Sequence, residues 1–169
     1  MLISSQGVIS HNLGPLNVFR TLSDSEAVQA LLVGYQHFVW LINPPSSTGK
    51  KFGDNIYYAS GLDFGVQILA RRERLTFDAD QLNSLMVTYL KHPGPSPCLP
   101  PYIIVSVIAK AAGKLARTGA LDARTRRLLA RVATFLRNWD REEWGSMPPA
   151  LLRRIEKVLA TQPRSQKRQ

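Results

Sequence analysis

The sequence predicts a mainly α-helical protein: about six helices in a compact bundle, with a short β element near the N-terminus. Three observations carry that expectation. Apolar residues recur at helical spacing in several separate segments. Ser or Asp stands just ahead of several of them, where a side-chain oxygen can accept a free backbone N–H. Proline or glycine closes most of them.

From the start, Leu2-Ile3 and Gln6 to Ser10 read as a short hairpin about Ser5-Gln6-Gly7, and Leu16 to Leu22 as a short extended or helical piece. The first clear helix begins near Ser23, where Ser23 and Glu26 have the spacing of a reciprocal capping box. Ala27, Val28, Leu31, Leu32, Tyr35, Phe38, Val39 and Ile42 follow at helical spacing, and Asn43-Pro44-Pro45 ends the run. Ser46 to Asn55 is a loop. Ile56 to Arg71 reads as a second helix despite Gly61 and Gly65, with a short strand at Ile56-Tyr57-Tyr58 as the alternative. A third helix begins at about Asp78, carries Leu82, Leu85, Met86, Tyr89 and Leu90 on one side, and stops at His92-Pro93.

Five prolines crowd residues 93–101, which therefore form an extended connector. Pro101 suits a first helical position, and Ile103 to Arg117 is apolar nearly all round, leaving Ser106, Lys110, Gly113, Lys114 and Arg117 as one polar stripe. Gly119 fits its C-cap. Asp122 caps the next helix, which runs to about Trp139. Its Leu121, Leu128, Val132, Phe135, Leu136 and Trp139 share one face, opposite Arg124, Arg126, Arg127, Arg131, Arg137 and Arg141 in an arc roughly 160° wide. Ser146 opens the last helix, with Leu151, Leu152, Ile155, Val158 and Leu159 inward and Arg153, Arg154 and Lys157 outward. Phe77-Asp78-Ala79 and Leu121-Asp122-Ala123 echo each other 44 residues apart, a likeness that shared capping chemistry explains better than a repeat.

Charge divides the chain more sharply than hydrophobicity does. Residues 1–100 hold seven basic and seven acidic side chains, whereas residues 101–169 hold fifteen and five, so the whole net charge of +10 lies after the prolines. The expected organisation is a neutral helical half at 1–92, the connector at 93–101, a basic three-helix half at 102–162 and a basic tail at 163–169. Together they would form one compact domain. At 169 residues such a chain buries about two-thirds of its unfolded surface and needs no metal or disulfide.

Catalytic signatures do not emerge. Cys98 is the sole cysteine, which excludes an intramolecular disulfide and a Cys-based zinc site. Ser47-Thr48-Gly49-Lys50-Lys51 lacks the earlier glycine of a phosphate loop. His11, His37 and His92 are too far apart in sequence to pair on a metal, and His37 reads as a partly buried structural imidazole. Asp140, Glu142 and Glu143 sit beside Arg137 and Arg141 and read as local ion-pair partners. The chain reads as non-enzymatic, with no cofactor. Met1 to Ile9 has no basic start, and the apolar run Tyr102 to Ala109 ends at Lys110, so neither a signal peptide nor a membrane span is expected. The expected location is cytoplasmic or nuclear, not secreted.

Arginine presents a planar fork of donors that keeps its charge, which suits phosphate oxygens. The expected function is electrostatic binding of RNA or DNA through the phosphate backbone. The contact set is Lys110, Lys114, Arg117, Arg124, Arg126, Arg127, Arg131, Arg137, Arg153, Arg154 and Lys157, with self-association along the polymer as a further expectation. Arg164, Lys167 and Arg168 would extend it, and Trp139, Trp144 and Tyr102 are the aromatics available for stacking, although Trp139 reads more simply as core. The alternative is an adaptor that docks an acidic protein on the same arginines; anionic lipid is a third partner class. Arg117 to Asp122 resembles a helix-turn-helix connection only generically, and no motif places a helix in a groove.

Overall fold

A computed structural model describes residues 21–42, 64–91, 99–139 and 146–161. Among these residues the structure has six helices and no strand: α1 (Asp24–Ile42), α2 (64–70), α3 (Ala79–Lys91), α4 (Pro101–Thr118), α5 (Ala123–Arg137) and α6 (Pro149–Ala160). The all-α architecture expected from the apolar spacing is the one observed. The hairpin about Ser5-Gln6-Gly7, the alternative strand at Ile56-Tyr57-Tyr58, most of the proline stretch and the 163–169 tail lie outside the described residues.

The helix ends follow from side-chain chemistry. At the start of α1, the Ser23 N–H and hydroxyl donate to Glu26 Oε2 at 2.8 and 2.6 Å, while the Glu26 N–H donates to Ser23 Oγ at 3.3 Å. These bonds to the carboxylate hold Glu26 below its ordinary pKa. A second reciprocal box opens α3, where Asp78 Oδ1 accepts the Gln81 N–H at 2.8 Å and the Asp78 N–H donates to Gln81 Oε1 at 3.0 Å. Gly119 ends α4 at φ 74°, a conformation that any Cβ would strain. Its N–H reaches Ala116 O at 3.3 Å and that of Ala120 reaches Leu115 O at 2.9 Å, a Schellman closure. One expected cap is corrected: α6 is entered from Pro148, not Ser146, without a side-chain cap bond. Two consecutive prolines preset the backbone there and remove donors that a serine would otherwise satisfy.

The chain falls into two compact units, one of Met1–Leu75 with Gly94–Ile103 and the other of Thr76–Pro93 with Ile104–Gln169. This division is not the one that the charge break draws, because α3 belongs with the basic helices. In the first unit, α1 buries Ala27, Val28, Leu31, Tyr35 and Phe38. Gly34 of α1 faces Val66 of α2, where a Cβ would stand 3.4 Å from the valine methyl, at the near edge of ordinary contact. Arg72, just after α2, ties that segment to the entry of α1, donating to Leu22 O at 2.8 Å and standing 3.5 Å from the Asp24 carboxylate.

In the second unit α5 is the shared partner, packed against α3 on one side and α6 on the other. Tyr89 of α3 meets Phe135 edge-on at 6.1 Å, and Phe135 meets Trp139 edge-on at 5.6 Å. This aromatic chain explains why α3 leaves the neutral half: its apolar face is completed by α5. Leu82, Met86, Ile108, Ala112, Leu129, Val132, Ala133 and Ile155 are fully buried in the same unit.

Candidate nucleic-acid interface

Within the second unit, Asp122 Oδ1 accepts the Thr125 N–H at 2.6 Å and so sets the phase of α5. The same bond holds the Asp122 carboxyl below the usual aspartate range, with a smaller contribution from the Arg124 charge. From that start Thr125, Leu128, Leu129, Val132, Ala133 and Leu136 turn inward. Arg124, Arg127 and Arg131 come out exposed on one flank, within an arc of about 60°. Arg127 and Arg131 make no ion pair with a described carboxylate.

Two arginines of the same helix serve the seam with α6 instead. Arg126 is half-buried and its Nη1 donates to Leu159 O at 3.4 Å. Arg137 donates from Nε to Glu156 Oε1 at 3.0 Å, with Nη2 2.9 Å from the same oxygen. The sequence neighbours Asp140, Glu142 and Glu143, expected as ion-pair partners of Arg137, lie outside the described residues. Arg153, Arg154 and Lys157 are exposed on α6.

On α4, Lys110 and Arg117 are exposed while Lys114 is half-buried and engaged. Arg117 Nη1 and Val158 Cγ2 of α6 stand 3.7 and 4.0 Å from where a Gly113 Cβ would be, so this polar stripe lies against α6. The eleven predicted cations therefore fall into an α5 row, an α6 row, the α5–α6 seam and the α4 stripe. Asp122 and Glu156 are the carboxylates described between residues 101 and 161, and both are engaged.

Trp139 is buried against Phe135 and is withdrawn from stacking, whereas Tyr102 is 41% exposed. His37 is exposed, not partly buried, with its ring 5.8 Å from that of Trp40. Lys91, exposed in the last turn of α3, belongs to the basic unit. Its place was hidden because it precedes the prolines; the long-range pairing of Tyr89 with Phe135 is what brings it in.

Among the described residues no helix is long and apolar enough to cross a membrane, and no group of three metal-ligating side chains occurs. Compared with protein-family models, curated proteins and solved structures, the chain matches none.

Proposed function

We propose that this protein binds nucleic acid without catalysis, through the phosphate backbone, in the cytoplasm or nucleus. One observation carries the reading: Arg124, Arg127 and Arg131 line a single exposed flank of α5, and neither Arg127 nor Arg131 pairs with a described carboxylate. Three guanidinium groups spread along about 10 Å of helix can meet successive phosphates and release their counterions. Such binding is independent of sequence and falls steeply with salt.

Fluorescence anisotropy with a labelled oligonucleotide across a salt series tests this. Affinity should weaken steadily with salt, and Arg124→Glu, Arg127→Glu and Arg131→Glu together should abolish it. Unchanged binding by that triple variant overturns the proposal. So does purification with an acidic protein that persists after nuclease digestion and is lost in the triple variant, with no nucleic acid bound.

A further inference from the structure

The α5 and α6 rows have a relationship that backbone binding alone does not require. Arg126 and Arg137 mark the side of α5 that faces α6. Across the exposed surface from that seam come Ala130, Ala123 and Thr134, all exposed and short, and beyond them Arg127, Arg131 and Arg124. On α6 the seam side is marked by Glu156 and Leu159, and the exposed surface beyond it carries Arg153 and then Lys157. The cations thus stand on the two outer shoulders of the helix pair; between them lie the short Ala123, Ala130 and Thr134 and the half-exposed Arg137–Glu156 pair.

We infer that this helix pair straddles one groove of a nucleic-acid duplex, the α5 row on one phosphate strand and the α6 row on the other. The inference rests on the nucleic-acid reading above and specifies its substrate. Helices packed together lie about 8–10 Å apart, and side chains leaning outward from both widen the span, which suits the two backbones bordering a groove about 12 Å across. A lone strand could engage one shoulder and would leave the other uncompensated.

Stacking gives the second reason. Proteins that hold single strands combine a cationic groove with exposed aromatic platforms. On α5 the ring of Phe135 and the adjoining Trp139 are spent on each other and on Tyr89, and α6 contains no aromatic residue. The short crest of Ala123, Ala130 and Thr134 offers nothing to stack on but lets a backbone approach closely.

The test is anisotropy with the full chain on a labelled RNA duplex, a DNA duplex of equal length and the matching single strands. Binding at least tenfold tighter to one or both duplexes than to their strands is expected. Arg124→Glu with Arg131→Glu, and separately Arg153→Glu with Lys157→Glu, should each weaken duplex binding at least tenfold. Each pair should also reduce the salt slope by about 2, the share of two phosphate contacts. All four positions are exposed, and circular dichroism confirms that the variants remain helical. Equal or tighter single-strand binding, or indifference to the α6 pair alone, overturns the straddled groove and leaves general nucleic-acid binding standing; indifference to the α5 pair overturns both. No binding to any of the four probes overturns both.

Discussion

Arg137 of α5 directs two guanidinium nitrogens at one oxygen of Glu156 on α6, at 2.9 and 3.0 Å, in a pair that is about half open to water. The pair joins helices that already share an apolar seam and also occupies a carboxylate in a strongly basic region. Exposed pairs of this kind contribute only about 0–1 kcal/mol. Glu156→Gln should therefore change stability by less than about 1 kcal/mol in urea denaturation. It should also free Arg137 and tighten oligonucleotide binding at low salt. Weaker binding in this variant would show that Glu156 supports the site instead of restraining it.

Arg126 and Arg127 are adjacent in sequence and differ in task. Arg126→Ala removes a half-buried stem and a bond to Leu159 O, so it should lower stability by about 1 kcal/mol, detectable as a reduced melting temperature. Arg127→Ala touches an exposed group and should leave stability within about 0.5 kcal/mol while weakening binding several-fold at low salt. The reverse assignment of effects would overturn the division between seam and surface.

Asp122→Ala should cost about 1 kcal/mol through loss of the α5 cap. The carboxyl is held below its ordinary value by the Thr125 N–H, so the folded state favours the ionised form. That contribution is fully present above the unfolded aspartate pKa of about 3.9 and disappears as pH falls through the lower folded value. Acid unfolding of the native chain should thus show a component near and below pH ~4 that the alanine variant lacks.

The Tyr89 hydroxyl is buried and finds no hydrogen-bond partner among the described residues. Tyr89→Phe keeps the edge-to-face contact with Phe135 and removes an unsatisfied polar atom, so it should be neutral or stabilising by up to about 1 kcal/mol. Burial also pushes the phenol well above its usual pKa, so the folded state favours the neutral form. This contribution is present below pH ~10 and is lost as pH rises past the unfolded tyrosine value. Ultraviolet titration should show Tyr89 ionising only as the unit unfolds.

A Cβ at Gly113 would sit 3.7 Å from Arg117 Nη1 and 4.0 Å from Val158 Cγ2, ordinary contact distances. Gly113→Ala should accordingly stabilise α4 by about 0.5–1 kcal/mol. Gly119→Ala, at φ 74°, should destabilise. Thermal denaturation distinguishes the two.

Local chemistry was legible in the sequence wherever its partners are local. Ser23 with Glu26, Asp122 with Thr125 and Gly119 after Thr118 act over three or four residues and appear as expected. Ser146 did not become a cap because its rival, the proline pair, presets the same turn by ring closure. Long-range relationships were hidden. Projection of α5 places Arg126 and Arg137 in the same arc as Arg124, yet only the position of α6 reveals that they face its Leu159 and Glu156. The pairing of Tyr89 with Phe135 spans the proline stretch, and neither residue's local pattern announces it.

Because the chain leaves the first unit at Leu75, re-enters it at Gly94 and leaves again after Ile103, neither unit is an unbroken length of polypeptide. A nascent chain emerging from the ribosome cannot complete the first until residue 103 has been made, by which time α3 has already appeared without its α5 partner. Cutting at the prolines to isolate the arginine-bearing helices would strip Phe135 of Tyr89; a fragment beginning at Thr76 would keep that contact but part the buried Leu99 and Ile103 from the rest of the first unit.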